Sequence, residues 1–190
     1  RGDVDRRAVG GRWGPGEVAN LGQLAAGDGR VSIGWLDAAG AEVGTAVAWV
    51  AVPIILPGQS ARFGVLGNEP PADFARPAVS VAGGETVVDL GTQYVDLVVG
   101  ETAVTIDDDR VQVTGQVQNS GQSTAQAIVV TATFYDSQGS VTGYQQQQLE
   151  ASLAPAETTT FSLTAAPPGG PTTTVTLIAH AQTDRLEGGS

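Results

Sequence analysis

Three consecutive acidic residues, Asp107, Asp108 and Asp109, are the part of this sequence best suited to bind a metal ion. Calcium takes about six to eight oxygen ligands, and a carboxylate cluster between two tandem β-sandwiches can stiffen their joint. Asp96 and Glu101 lie nearby in the sequence. The run lacks the alternating acidic residues and the central glycine of an EF-hand loop. Two interpretations therefore stay open, a calcium site and a solvated hairpin tip.

Other residues with chemical potential stand alone. His180 is the one histidine, and no serine or acidic residue accompanies it at the spacing of a known catalytic or metal-binding motif. We expect it on the outward side of a strand, and we predict neither catalysis nor a cofactor. Arg1-Gly2-Asp3 spells the tripeptide that integrins recognise. Matches of three residues are common by chance and carry little weight.

The composition excludes several classes of partner and chemistry. Twenty acidic residues against nine arginines and no lysine give a net charge of −11. Phosphate backbones and anionic membranes favour clustered basic residues, so we expect neither nucleic acid nor a membrane surface as a partner. With no cysteine, disulfides and thiolate metal sites are excluded. Because methionine is also absent, we expect a processed product or a fragment, with any signal peptide or anchor outside it.

The longest apolar stretch, 46–56, reads AVAWVAVPIIL. Its eleven residues fall well short of the roughly 20 that a membrane-spanning helix needs, and Pro53 interrupts it. We expect this stretch to form a pair of buried strands, and we expect no membrane insertion within this chain.

An internal repeat organises the chain. Segments 18–44 and 117–143 align without a gap and share nine identities in twenty-seven positions. The identical pairs are Val18/Val117, Asn20/Asn119, Gly22/Gly121, Gln23/Gln122, Ala26/Ala125, Val31/Val130, Asp37/Asp136, Gly40/Gly139 and Gly44/Gly143. A second match follows, because ILPGQSARF at 55–63 corresponds to LAPAETTTF at 153–161. Repeats of this size indicate two copies of one fold unit.

The repeated segments have the pattern of β-strands and turns. Apolar residues alternate with others around Val31 and around Val130, which places one set of side chains in a core. Each strand then ends in Asp-x-x-Gly, at 37–40 and 136–139, a typical hairpin turn. Short strands with frequent turns and no helical periodicity predict an all-β protein. We predict two tandem immunoglobulin-like β-sandwich domains, 1–90 and 91–190.

The two copies differ at their beginnings. The second copy opens with the alternating strand VQVTGQVQN at 111–119, whereas Gly14, Pro15 and Gly16 interrupt the equivalent part of the first. The first domain is therefore predicted to have an incomplete opening strand. A sandwich that lacks a strand exposes unpaired backbone groups, which another chain can fill by strand addition.

The signature residues of the second copy resemble those of the FxLYD family. They are Asn119, Phe134-Tyr135-Asp136, Gly139, Leu153, Pro155 and Phe161. The resemblance covers most of 105–182, and it reaches 16–83 only through the repeat. It implies a small immunoglobulin-like sandwich of bacterial envelope and secreted proteins, at the cell surface or outside the cell, with no established activity. The matching residues belong to the core and the turns, so they transfer no active site.

Three functions remain open at this level. The first is a non-enzymatic structural or adhesive module at the cell envelope that acts through protein–protein contacts, including self-association. The second is a subunit of an extracellular filament, assembled by strand addition between neighbours. The third is a ligand- or glycan-binding accessory module of a larger envelope protein, for which Trp13 and Trp49 are the aromatic candidates because Trp35 aligns with Phe134 of the core.

Overall fold

The computed structural model describes residues 6–7, 16–64, 71–88, 96–107, 110–167 and 170–183, and all regular structure in these ranges is β-strand. The chain divides into two compact units, Arg1–Val88 and Asp89–Ser190. The all-β prediction is confirmed. In the described residues no helix exists that could cross a membrane.

The first unit has two antiparallel sheets. One has the order β1-β2-β6. In the other, β3 is the central strand and pairs with β4, β5 and β7. The strands are β1 (Arg6–Arg7), β2 (Gly16–Ala19), β3 (Ala25–Leu36), β4 (Glu42–Trp49), β5 (Ile54–Ile55), β6 (Ser60–Phe63) and β7 (Arg76–Val87).

The second unit also has two antiparallel sheets, with the orders β12-β9-β8 and β11-β10-β13. The strands are β8 (Leu97–Asp107), β9 (Arg110–Asn119), β10 (Ala125–Tyr135), β11 (Val141–Gln148), β12 (Thr158–Ala165) and β13 (Thr174–Thr183). Leu97 pairs with Asn119 and Thr183 pairs with Ala125, so the first residue of β8 and the last of β13 flank the same turn, 120–124.

One apolar core joins the two sheets of the second unit. Alternate side chains of β9 and β10 point into it and are almost completely buried, as period-two alternation requires. The core residues are Val111, Val113, Val117, Ala125, Ile128, Val130, Ala132, Phe134, Leu149, Leu153, Phe161, Leu163 and Ala181. In the first unit Val31, Ile33 and Trp35 are buried in the same way. Each unit is therefore a sandwich-like pair of sheets.

An asparagine braces one corner of each unit. The Asn119 amide nitrogen donates to the carbonyls of Ser123 (2.8 Å) and Leu153 (2.9 Å), and its oxygen accepts from the Gly121 N–H (2.9 Å). Asn20 makes the corresponding bonds to Leu24 and Ile55 (both 2.8 Å) and to Gly22 (3.0 Å) in the first unit. The residue that the sequence indicates as part of a turn thus also ties that turn to a distant segment.

The predicted hairpin turns form as expected. The Asp136 carboxylate accepts from the backbone N–H of Gln138 and Ser140, both at 2.8 Å, and Gly139 has a φ of 77°. In the first unit Asp37 accepts from the Ala41 N–H at 2.8 Å, and Gly40 has a φ of 86°. These glycines adopt the left-handed conformation that the turn requires.

Each unit contains a glycine covered by a phenylalanine from the neighbouring strand. Gly16 pairs with Phe63, and Gly115 pairs with Phe161. A Cβ atom on Gly16 would lie 2.1 Å from Phe63 Cζ, and one on Gly115 would lie 2.8 Å from Phe161 Cε1. The glycine leaves the space that the aromatic ring fills, so Gly16 is part of strand packing.

The incomplete opening strand of the first unit stays a prediction, because before Gly16 the structure describes Arg6–Arg7 alone. One sequence-based expectation needs correction. The stretch 46–56 is not buried throughout, because β4 alternates and Val47 and Trp49 are 59% and 63% exposed. Ala46 and Ala48 alone face the core from this part of β4.

Candidate interaction edge

The strand β8 lies at the edge of its sheet, where β9 is its one sheet neighbour among the described strands. Its first half packs on the core through Leu97 and Val99. A bulge follows, since the register to β9 shifts between Gly100 and Ala103 and Glu101 has a φ of 47°. The Glu101 carboxylate accepts a hydrogen bond from the Gln116 side chain. A bulge adds one residue and bends the strand, so the two halves of β8 differ in their surroundings.

The second half of β8 is exposed on both of its faces. Val104 pairs with Val113 and Ile106 pairs with Val111, so both point to the core side of the sheet. Their partners are at most 1% exposed, yet Val104 and Ile106 are 44% and 40% exposed. Thr102, Ala103 and Thr105 are exposed as well. The strand thus presents apolar side chains on the core side of its sheet that the second unit leaves partly uncovered.

The sequence of this half offers little protection against strand pairing. Natural edge strands usually carry a charged residue, a proline or a bulge at the exposed positions. Residues 102–106 read TAVTI, with neither charge nor proline, and the bulge at Glu101 and Thr102 affects only their beginning. The opposite edge of the sheet, β12, buries Phe161 and Leu163 on the same side. Of these two edges, β8 alone leaves its apolar side chains available to a further strand.

The predicted calcium ligands are described only in part. Asp107 ends β8 and pairs with Arg110 across the hairpin, whereas Asp108 and Asp109 lie outside the described residues. The Asp96 carbonyl accepts the N–H groups of Ser120 (2.9 Å) and Gly121 (3.1 Å), which joins it to the asparagine corner. In the described ranges no group of three or more histidine and acidic side chains is placed to hold a metal. The calcium site stays a prediction.

His180 lies where the alternation places it, on the face of β13 that carries Thr176 and Ile178. It pairs with Val129 and is about half-buried rather than freely exposed. Its Nδ1 atom is inaccessible and has no hydrogen-bond partner among the described residues. Burial lowers the pKa of His180, because the charged imidazolium loses its hydration.

The remaining candidate residues lie partly outside and partly within the described part of the chain. Arg1-Gly2-Asp3 and Trp13 lie outside the described residues. Trp49 is 63% exposed on β4, with the Arg30 guanidinium carbon 5.3 Å from the ring centroid. Trp35 is 7% exposed and, as expected, belongs to the core like Phe134.

The first unit contains a buried ion pair that no sequence pattern indicates. Arg62 of β6 pairs with Glu17 of β2 across the sheet, with 2.5 Å between Nη1 and Oε2, and Arg62 is 5% exposed. Desolvation lowers the pKa of Arg62, while the hydrogen bond and charge of Glu17 act in the opposite direction. The sequence positions of Glu17 and Arg62 correspond to Gln116 and Thr160 in the repeat, so this pair belongs to one copy.

Comparisons with known proteins identify no family. No family model matches the chain, and no curated protein matches it. An exo-chitosanase structure from Amycolatopsis orientalis is 13% identical, with a TM-score of 0.29, over 86% of this chain and 25% of that chain. The red sea bream transglutaminase structure is 14% identical, with a TM-score of 0.28, over 96% of this chain and 29% of that chain. The chain spans less than a third of either protein, and these scores assign neither fold nor function.

Proposed function

We propose that this chain is a non-enzymatic structural or adhesive module, and that it acts through protein–protein contacts in which a strand adds to the outer edge of β8. The observation that carries the proposal is the exposure of residues 102–106 on both faces, although the core-facing partners Val111 and Val113 of β9 are at most 1% exposed. Edges of this kind are templates for pairing, since each backbone N–H and C=O that points outward lacks a strand partner.

The partner proposed for this edge is β8 of a second copy, antiparallel and centred near Val104. Such a contact is isologous, so one surface suffices for both molecules. This register places Val104 opposite Val104, Ala103 opposite Thr105 and Thr102 opposite Ile106. At each end Glu101 lies opposite Asp107, a like-charge pair whose repulsion is reduced by salt. Val104 and Ile106 of each copy then become covered by the added strand.

A second candidate function is the filament subunit, in which strand addition continues from copy to copy. The sequence interruption at Gly14, Pro15 and Gly16 favours it, because an incomplete opening strand would leave an open edge on the first unit. A filament needs this second contact, since pairing of β8 with β8 alone closes after two copies. We further propose display at the cell surface, which the FxLYD resemblance supports.

The test is the oligomeric state of the chain and of Val104→Lys. Each copy carries a net charge of −11, so the experiment needs about 0.15 M salt, where the Debye length is about 8 Å. We expect concentration-dependent dimers, or longer assemblies, in sedimentation velocity. Val104→Lys places a charge in the middle of the edge and should leave monomers, with an unchanged circular dichroism spectrum.

Thr160→Lys is the matched control, because Thr160 is exposed on β12, the opposite edge of the same sheet. It introduces the same charge and should leave association unchanged. A wild-type chain that stays monomeric at millimolar concentration would exclude self-association through β8. Equal effects of the two lysines would show that charge, and not the β8 edge, controls association.

A further inference from the structure

A second surface, on the first unit, differs in chemistry from the β8 edge. It is the outward face of β3 together with β4 and β7, and we call it the outer shelf. At one end Arg30 lies between Trp49 of β4 and Gly83 of β7, as their strand pairing requires. At the other end Gly34 lies between Thr45 and Ala78. The middle row is Val47, Ser32 and Ser80.

Glycines make room for two charged groups on the outer shelf. A Cβ atom on Gly83 would lie 3.0 Å from Arg30 Nη2, so the guanidinium rests against this glycine. A Cβ atom on Gly34 would lie 2.9 Å from Glu42 Oε2, so the carboxylate lies over the opposite end. The shelf therefore carries a cation at one end and an anion at the other, with small side chains between them.

Trp49 and Arg30 are available to a ligand. The guanidinium lies 5.3 Å from the centroid of the Trp49 ring, yet 63% of the residue stays exposed. Arg30 therefore covers one face of the ring at most. Within the described part of the chain, no carboxylate lies at ion-pair distance from Arg30. Five guanidinium N–H donors next to an exposed aromatic face suit a ligand with both an apolar side and many oxygen atoms.

The second unit shows that a sandwich of this sequence pattern does not need such a surface. There the equivalent row is Gln148, Val129 and His180, with no tryptophan, tyrosine or phenylalanine. The next rows are filled by Gln146, Ile178, Tyr144 and Thr176, and the central Thr131 and Thr133 are at most 2% exposed. The side chains of that face also bond to one another, as in Gln146 Nε2 to Thr131 Oγ1 at 3.1 Å. The packed side chains on this face of the second unit contribute to stability. The outer shelf of the first unit lacks such packing, so stability does not explain it.

The size of the outer shelf distinguishes between classes of ligand. Gly34 lies four positions after Arg30 on β3, which gives a length of about 13 Å, and three strands give a width of about 10 Å. The resulting area of about 130 Å² is far below the roughly 800 Å² per partner of a stable protein interface. A small, flat ligand matches the size of this surface, whereas a folded protein would need contacts well beyond it.

From these observations we propose that the outer shelf binds a saccharide. The apolar face of one sugar ring stacks on the free face of Trp49, Arg30 donates hydrogen bonds to hydroxyl or carboxylate oxygens, and Glu42 accepts from a hydroxyl further along. This function is independent of the β8 edge, which belongs to the other unit. Neutral and uronate-containing saccharides share this chemistry, and the experiment below distinguishes them.

The experiment titrates the full chain, in monomeric Val104→Lys form as well as wild type, with cellohexaose and with hexagalacturonate. Binding is followed by calorimetry and by the NMR signals of the tryptophan indole N–H groups. We expect dissociation constants in the millimolar range or below for at least one probe, with the Trp49 signal shifted. Trp49→Ala should weaken binding by about tenfold or more, since an aromatic stacking contact contributes about that factor.

Two further variants distinguish a loss of direct contact with the saccharide from a loss of folding. Ser80→Ile fills the shelf with the residue that the second unit has at the equivalent position, Ile178, and should block binding while Trp49 stays in place. Arg30→Gln should weaken hexagalacturonate more than cellohexaose if a carboxylate is recognised, and both equally if only hydroxyls are. Gln148→Ala is the matched control in the second unit and should change nothing.

The proposal is overturned if neither probe shifts the Trp49 signal. It is also overturned if binding survives both Trp49→Ala and Ser80→Ile, because the saccharide then lies elsewhere. A loss of self-association in Trp49→Ala, without any saccharide binding by the wild-type chain, would assign the outer shelf to a protein contact.

Discussion

Replacing Asn119 by alanine tests the main feature that holds each sandwich corner. The side chain is completely buried and makes three hydrogen bonds, to Ser123, Leu153 and Gly121. At about 1 kcal/mol for each bond, the loss is about 3 kcal/mol. It is not larger because the Leu153 carbonyl still accepts from the Ala125 N–H at 2.9 Å. The Gly121 N–H likewise keeps the Asp96 carbonyl, at 3.1 Å.

The assay is urea unfolding followed by circular dichroism and by tryptophan fluorescence. All three tryptophans, at positions 13, 35 and 49, belong to the first unit, so fluorescence reports on that unit alone. With an m-value of about 2 kcal/mol/M, a loss of about 3 kcal/mol lowers the midpoint of the second unit by about 1.5 M. The fluorescence transition should keep its midpoint, since Asn119 belongs to the other unit.

Asn20→Ala is the control for this prediction. Asn20 makes the same three bonds but is only part-buried, so water can replace some of them. We expect it to lower the fluorescence midpoint, and by less than Asn119→Ala lowers the second transition. A midpoint change below about 0.5 M for Asn119→Ala would refute the reasoning, because the corner would then contribute no more than one exposed hydrogen bond.

Two further predictions concern single side chains. Burial lowers the pKa of His180, so the unfolded chain binds a proton more readily than the folded one. The wild type should therefore lose stability as the pH falls below about 6.5, and His180→Gln should lose less stability. Urea midpoints at about pH 8 and about pH 5 measure this difference. Gly16→Ala should destabilise the first unit by about 1–3 kcal/mol in fluorescence-detected unfolding, because the new Cβ would lie 2.1 Å from Phe63 Cζ. For the same reason Phe63→Leu should reduce the free energy of unfolding less in the Gly16→Ala background than in the wild type.

Clear results would contradict each of these two predictions. Identical pH dependence of the wild type and His180→Gln would show that the imidazole is as well hydrated in the folded chain as in the unfolded one. Additive costs of Gly16→Ala and Phe63→Leu would show that the ring moves away from the glycine without loss.

Local patterns in the sequence predicted the features that local contacts determine. The Asp-x-x-Gly turns at Asp37 and Asp136 form as expected, because their hydrogen bonds lie within five residues. The alternation around Val130 likewise places the core residues correctly, since period-two geometry is a property of the single strand. That the two units are copies of one fold unit stays a prediction, although their corners and turns match.

Structural features that depend on residues distant in the sequence could not be predicted. Asn119 was predicted as part of a turn, but its bond to Leu153 crosses 34 positions and needs the folded sandwich. The glycine-rich stretch 26–29 gave no hint of the bulge at Asp28, whose φ is 49°. The exposure of Val104 could not be read from its sequence, because an apolar residue on the core side of a strand is normally covered. The contact of Arg30 with Trp49 could not be predicted either, since only strand pairing brings the two residues together.

The position of the ends of the second unit determines how it responds to force. Leu97 begins β8 and Thr183 ends β13, and both flank the turn 120–124 at one end of the sandwich. Tension applied through the chain at these two points peels β8 and β13 away from that end, so their hydrogen bonds break row by row and never resist together in shear. Such a unit yields at low force. An adhesive contact through β8 would therefore be best placed where tension is not transmitted through the second unit from Leu97 to Thr183.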